Sequence, residues 1–494
     1  MAKINIQFLS DQQIQAICDA SLVILRDTGV MVHHDDVLRL LGQAGAKVDR
    51  HTKIARLPEK LVTDSIARAG KKYVLYGRNP KFPARFGYGD FVLMSSPGQF
   101  GWIDSQSGQI RPATIQDTRD AIRLGDALAN ISIVGAMGQP QEIPQPYRDV
   151  FLTGELVKGT GKPTRCWVRN GQTAHYILEI YRTVAGGDAA LRAKPMVEAF
   201  LEPISPLRLP KDGLDILTEF VRAGQPASIG PMAMTCGTAP ATLAGTLAQE
   251  NAEILAGIVV TQLLAPGTPV TYGGIPHIMD PGTGICSFGS AEQGLMAVAM
   301  VQIARHYNLP VYINVGLTDA KVPDAQAGIE KGTSMLLGAL AGADTFGHCG
   351  ICGTDHGASL EWLFIDNELA EYVKRITRGF EVNADTLAAE VIKKVGPGGN
   401  YLAEEHTVEH FRRELWLPGV AWTRQNWGIW ERQGRNSMAE RARGEVNRIL
   451  STHKPEPIDE DLAAEIDRIV ECSKSVKLDK RAISVEGKAD EKSM

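Results

Sequence analysis

The densest run of metal-binding side chains is His348-Cys349-Gly350-Ile351-Cys352-Gly353-Thr354-Asp355-His356. Two thiols and two imidazoles are enough donors for tetrahedral zinc, and a zinc-dependent lyase or hydrolase is one reading of them. Against it, neighbours at 348 and 349 point to opposite faces of a strand, and no second Cys-x-x-Cys follows. The thiols then pack as small apolar groups while the imidazoles serve hydrogen bonding. A second concentration runs from Asn314 through Gly316, Thr318, Asp319 and Lys321 to Asp324, Gln326 and Gly328. Six polar side chains and two glycines in one strand-to-helix stretch suit a site, although Asp324 also suits a helix cap. Glu202, followed by Pro203, offers a carboxylate that is either a general base or a partner for Arg169. Motifs for phosphate chemistry are missing: Gly159-Thr160-Gly161-Lys162 lacks the spaced leading glycine of a P-loop and runs into Pro163. The calcium loop, the His-Glu-x-x-His helix and the Gly-x-Ser-x-Gly elbow are missing too.

The elements that must carry these groups repeat one grammar from Phe91 onward: a β-rich apolar run, a loop with glycine, proline or polar residues, then a helical stretch. Strands are expected at 91–95, 131–137, 164–168, 196–201, 227–234, 269–273, 311–315 and 344–348, with helices such as 239–264 and 291–307 between them. Eight such units have the size of a (β/α)8 TIM barrel, an α/β fold whose site lies at the C-terminal ends of the strands. A doubly wound sheet would announce a glycine-rich dinucleotide fingerprint after its first strand, and there is none. Strand-end position therefore selects Ser95, Ser96, Trp167, Arg169, Asn170, Glu202, Tyr272, His277, Asn314, Asp319, Lys321, Phe346, His348 and His356 as candidates. The expected division is an N-terminal appendage over 1–90, the barrel over 91–380, a helical cap over 381–472 with a tryptophan-rich run from Trp416 to Trp430, and a flexible tail over 473–494.

Composition narrows the function classes. With 52 Lys and Arg against 57 Asp and Glu, the net charge of −5 leaves no general nucleic-acid footprint. Seven cysteines, an odd and scattered set in 494 residues, read as reduced thiols. The first residues lack a signal peptide's apolar core and no long uncharged apolar run is present, so a cytoplasmic location away from membranes is expected.

Three separated segments carry a resemblance: Gly316-Leu-Thr-Asp319-Ala-Lys321-Val-Pro-Asp324-Ala-Gln326-Ala-Gly328-Ile-Glu330-Lys331; Pro240 to Ala248 with Asn251-Ala-Glu253; and Gly398-Gly399-Asn-Tyr-Leu402 with Glu405-His406-Thr407. Together they resemble the trimethylamine methyltransferase superfamily from the N-terminal helices to about residue 450. The resemblance implies a barrel that moves a methyl group from an amine to the Co(I) of a corrinoid (cobalamin) carried on a partner protein. Archaeal trimethylamine enzymes of the family contain pyrrolysine, whereas every position here is a standard residue. The lack of pyrrolysine points to relatives that resemble the glycine betaine methyltransferases and act on quaternary amines, with glycine betaine the leading donor and carnitine or proline betaine the alternatives. A quaternary nitrogen leaves as a neutral tertiary amine, so no activating adduct is required.

On that reading Trp167, Tyr272 and Phe346 are expected to hold the cation, and Arg169, Asn170 and His348, with His356 nearby, its carboxylate. The loop of Glu202, Asn314, Asp319 and Lys321 completes the candidate site. No metal held by the chain itself is expected, the transient partner being the corrinoid protein and a homo-oligomer an open alternative. A betaine-binding protein without the chemistry is a further reading.

Overall fold

The computed structural model describes residues 6–104 and 107–475; the tail expected beyond 475 lies outside the described residues. Turn-bounded apolar runs become the parallel strands β1 (Val92–Ser95), β2 (Ile131–Gly135), β3 (Thr164–Arg165), β4 (Ala199–Leu201), β5 (Ala227–Ile229), β6 (Val270–Gly274), β7 (Val311–Asn314) and β8 (Thr345–Cys349). Each is followed by a helix: α1 (Ile115–Ala127), α2 (Arg148–Gly159), α3 (Gly171–Ala185), α4 (Lys211–Arg222), α5 (Leu243–Leu264), α6 (Ala291–His306), α7 (Ala325–Ala341) and α8 (Leu360–Arg378). The strands adjoin in the order β3-β2-β1-β8-β7-β6-β5-β4, which is chain order with β8 returned beside β1. The chain is a (β/α)8 barrel.

Among the described residues no ladder joins β3 to β4. Side chains span the seam instead. The Arg165 guanidinium pairs with the Glu198 carboxylate and lies 4.8 Å over the Phe200 ring. Glu198 also accepts a 2.6 Å hydrogen bond from the Tyr73 hydroxyl. Tyr73 belongs to the hairpin Tyr73–Leu75/Ala84–Phe86, whose side chains pack with Val92, Met94, Ile133, Ile275 and Tyr312 as the floor of the barrel. Asp344 ties this floor to the wall, its two oxygens accepting from the Gly87 and Val311 amides at 2.9 Å.

The flanking elements brace the helix layer. Arg208–Leu209, from the β4–α4 connection, joins a small sheet with Val30–Val32, Ile54–Arg56 and Lys47–Asp49. After the barrel, helix Met438–Thr452 packs on α8 and α1, and helix Glu460–Ser473 on α2 and α3. Trp416 and Trp422 pack around Tyr372 of α8, while Trp427 is 71% exposed.

Lys162, the lysine of the failed P-loop match, has a structural task. It is buried, and its ammonium donates to the carbonyls of Gly125 (2.9 Å), Leu128 (2.7 Å) and Ile131 (2.9 Å), joining the end of α1 to the start of β2. Burial lowers its pKa to about 8. Lys162→Met strands three carbonyls and should cost about 2–4 kcal/mol, read as a Tm lower by several degrees. Glu198→Ala should cost more, about 3–5 kcal/mol, because it leaves Arg165 buried without its counter-charge. Tyr73→Phe, which removes one donor to the Glu198 carboxylate, should cost about 1.5–3 kcal/mol on the same measurement.

Candidate functional site

Most carboxylates on the catalytic face are anchors for loops. Asp149 of α2 accepts from the Arg169 amide at 2.9 Å. Glu250 of α5 accepts from Ala233 (3.1 Å) and Ile275 (2.7 Å), and Glu253 from the Leu207 amide (2.7 Å) and the Ser205 hydroxyl (2.7 Å). Asp319 accepts from the Phe288 amide and the Thr354 hydroxyl, each at 2.7 Å, Glu330 from the Asp319 amide at 2.9 Å, and Asp366 from the Gly350 amide at 2.8 Å. Most of the polar run 316–331 is thereby accounted for. Asp319 knits the loops after β6, β7 and β8, and Lys321 donates to the Asp319 carbonyl at 2.7 Å from an exposed position. Asp324 caps α7 by accepting from the Ala327 amide at 3.1 Å.

Between these anchored loops the mouth opens into a cavity of about 1360 Å³ lined by Gln99, Trp167, Arg169, Glu202, Phe288, Asn314, His348 and Asp355, among others. Glu202 and Asp355 differ from the anchors. Both are open to the cavity, and among the described residues Glu202 has no hydrogen-bonding partner. Protein on its other sides raises the Glu202 carboxyl to about 7, first by desolvation and then by the charge of Asp355. Asp355 is raised to about 6 by desolvation, opposed by a hydrogen bond from Gln99 and the charge of His356. Two carboxyls that resist ionisation at the same opening make a place for a cation.

Aromatic rings stand beside them. Trp167 meets His348 edge-on at 5.8 Å and Phe200 at 6.1 Å, and its indole N–H is held by the Gly98 carbonyl at 2.9 Å. Phe200 meets Tyr312 edge-on at 6.4 Å. The Tyr312 hydroxyl donates to Asn314 Oδ1 at 3.2 Å and lies 3.1 Å from His348 Nε2. With its one proton committed to Asn314, that oxygen accepts from His348 Nε2–H, leaving Nδ1 with no proton to donate. Desolvation, with the charges of Arg165 and His277, lowers His348 to about 3, so the ring is neutral at ordinary pH. His277 does not line the cavity; it is fully buried behind Phe288, on which it stacks at 4.4 Å, and is lowered by desolvation to about 4.

Trp167, Arg169, Asn170, Glu202, Asn314 and His348 are brought together on this cavity; Tyr272, Phe346 and His356 are not. On β6, Thr271 faces inward to Tyr73 and Tyr272 faces outward, its hydroxyl donating to Asn251 of α5 at 2.9 Å. On β8, Phe346 stacks outward on Phe91 at 4.2 Å. Strand parity thus removes both from the expected cation cage. The His348 ring enters the mouth because the β8–β1 ladder shifts register between Phe346 and Cys349. Asn170 lines the cavity, yet its side-chain oxygen caps α3, accepting from Gln172 (2.9 Å) and Thr173 (3.0 Å). His356 lies outside, its Nδ1 2.8 Å from the Gly353 carbonyl. Ser95 and Ser96 serve the backbone and Gln99.

The four groups considered for zinc do not share one centre. Cys349 is buried against α8 and burial raises its thiol well above the ordinary value, while Cys352 is raised to about 11 mainly by desolvation. Sequence reasoning passed over Phe200, Tyr312 and Asp355. Tyr312 carried a usable signal, since it stands two residues before Asn314 and so shares its inward parity.

The family model described as trimethylamine methyltransferase matches residues 2–475. The chain belongs to that family. Its curated relatives include the trimethylamine methyltransferase of Desulfitobacterium hafniense (strain DSM 10664 / DCB-2), 33% identical over 94% of this chain and 93% of that protein. The trimethylamine methyltransferase of Methanosarcina thermophila is 32% identical over 93% and 96%, and the glycine betaine methyltransferase of Desulfitobacterium hafniense (strain Y51) 30% identical over 95% and 97%. Among solved structures, the Methanosarcina barkeri monomethylamine methyltransferase covers 96% of this chain and 97% of its own at 10% identity, with a TM-score of 0.48. That likeness is too loose to transfer any residue. The chain is a methyltransferase of this family, and no described helix is long and apolar enough to cross a membrane.

The raised carboxyl of Glu202 sets a pH signature. Its folded value, about 7, lies above the ordinary 4.5. The folded chain therefore holds this proton more tightly, and the stability gained is complete below about pH 4.5 and lost as pH rises through about 7. Without ligand, the wild-type Tm should fall between pH 5.5 and 8 more steeply than that of Glu202→Gln. Parallel pH profiles for the two proteins would take Glu202 out of this account.

Proposed function

We propose that this methyltransferase takes a methyl group from a quaternary amine, with glycine betaine the first candidate, and passes it to the Co(I) of a corrinoid carried on a separate protein. The observation that carries the reading is that Glu202 and Asp355, two carboxyls open to one cavity, share its lining with the rings of Trp167, Phe288 and His348, with Phe200 and Tyr312 packed behind them. A bound cation reverses the cost of ionising those carboxyls, and a ring face adds about 2 kcal/mol when the cation is desolvated. A quaternary ammonium group fits because it has no N–H and asks for no hydrogen-bond acceptor. Kinship with both trimethylamine and glycine betaine methyltransferases supports methyl transfer from an amine.

The chain's own residues bind and orient. The carboxyls and rings fix the ammonium so that one methyl faces the open mouth, and Arg169, at the rim of the same cavity, is the cationic partner for the donor's carboxylate. When its carrier docks, the corrinoid supplies the nucleophile. The C–N bond breaks with its electron pair going to nitrogen, and dimethylglycine leaves neutral at that atom, so no residue must protonate it. Trimethylamine carries no permanent charge: its leaving group is neutral only while its nitrogen is protonated, whereas a quaternary nitrogen needs no proton. The neutral His348, hydrogen-bonded to Tyr312, serves as a wall of the cage.

Mixing the protein with Co(I) cobalamin and a panel of betaines and methylamines, while following methyl-Co(III) by absorbance, tests the reading. Quaternary amines should react and trimethylamine should not. Turnover of trimethylamine with silence from every quaternary amine would overturn it, and binding without methylcobalt would make the protein a betaine receptor. Trp167→Ala should raise the half-saturating betaine concentration roughly tenfold while leaving thermal unfolding little changed.

A further inference from the structure

Beyond the barrel, three donor groups meet away from the mouth. His406 and His410 lie four residues apart on helix Glu405–Glu414, which puts both imidazoles on one face with ring centroids 4.2 Å apart. The short helix Ala384–Leu387 brings Asp385 against them: its Oδ2 is 3.2 Å from His410 Nε2, and its carbonyl oxygen is 3.2 Å from His406 Nε2. One donor atom from each side chain lies within 4.8 Å of the others, and among the described residues no other three His, Cys, Asp or Glu side chains do so. None of the three lines the mouth cavity.

The arrangement is held by contacts that do not involve the three donors. Asn383 and Thr386 form a capping box around Asp385, and Thr386 donates to the Glu381 carbonyl at 3.0 Å. Arg413, on the histidine helix, pairs with Glu381 at 2.5 Å, and Lys394 pairs with Glu404 at 2.7 Å. The donors therefore face one another before anything binds. Both imidazoles are half-buried and Asp385 is exposed, so an ion can enter from solvent without the fold opening.

We propose that Asp385, His406 and His410 form a binding site for a divalent first-row transition ion, with zinc as the occupant. Two imidazole nitrogens and one carboxylate oxygen suit zinc, nickel, cobalt or copper over magnesium or calcium, and they leave a tetrahedral position for water. Each histidine binds through Nε2, its remaining proton on Nδ1, and any proton carried by a charged ring is released to solvent. The hydrogen bonds from the two rings to Asp385 give way to metal–ligand bonds. The ion would clip helix 405–414 onto helix 384–387 across the Gly396-Pro397-Gly398-Gly399 turn, as a structural site separate from the methyl-transfer cavity.

Full-length, untagged protein stripped with a chelator is titrated with Zn2+ by calorimetry and with Co2+ by visible absorption. One equivalent should bind, Zn2+ should displace the Co2+ spectrum, and Tm should rise on loading. His406→Ala, His410→Ala and Asp385→Asn should each weaken binding by more than about tenfold, the loss already seen when only a ligand's outer partner is removed. Cys352→Ala should bind as the wild type does. Absence of saturable binding, binding undiminished in all three variants, or binding lost with Cys352 would each overturn the proposal. If a histidine variant fails to fold by circular dichroism, Asp385→Asn, nearly isosteric and exposed, decides alone.

Discussion

An ion pair across a gap in the sheet, Arg165 with Glu198, is the contact on which the rest of the site depends. β3 forms ladder bonds for only two residues before the chain turns to carry Trp167, Arg169 and Asn170 over the mouth, so backbone hydrogen bonds cannot close the wall there. A guanidinium reaching a carboxylate on the next strand closes it with side chains. Their exposures are 11% and 5%, so both charges are desolvated and neither can be left alone. The same two groups reach the neighbouring layers: Glu198 holds Tyr73 of the floor, and Arg165 lies over Phe200 and adds to the burial that keeps the His348 ring neutral. Floor, wall and aromatic cage are one electrostatic unit.

Carboxylates on one face of the barrel divide into two kinds. Asp149, Glu250, Glu253, Asp319, Glu330 and Asp366 accept from backbone amides or neighbouring side chains and set the paths of the loops. Glu202 and Asp355, placed where those loops leave room, face the cavity; burial raises Asp149, Glu250, Glu253 and Asp366 as well, so the opening is what sets the two apart. Loop anchoring and the proposed cation binding use the same functional group, and the difference lies in whether backbone N–H groups are within reach. On the proposed reading, in which the nucleophile arrives on another protein, such a mouth, anchored at its rim and open above, is what docking requires.

The eight strands were legible because each is a short apolar run between turn residues, and burial on both faces of a parallel sheet demands that pattern. The family was legible for a different reason: three motif segments far apart in the chain agreed. Trp167, Arg169 and His348 were found as strand-end residues. Tyr272 and Phe346, chosen by the same rule, face the helices, because strand-end position without parity cannot tell inside from outside.

What the residues determined by themselves is the alternation of strand and helix, the absence of phosphate and dinucleotide motifs, and a chemistry that does without pyrrolysine. Only the tertiary structure decided which side chains meet. The register shift in β8 turns His348 inward, and the anchored loops bring Asp355 opposite Glu202 across more than 150 residues of chain. Local patterns follow from backbone geometry and burial, which each segment carries in its own residues. A site assembled from six strands' ends depends on distances between segments, which the folded barrel alone supplies.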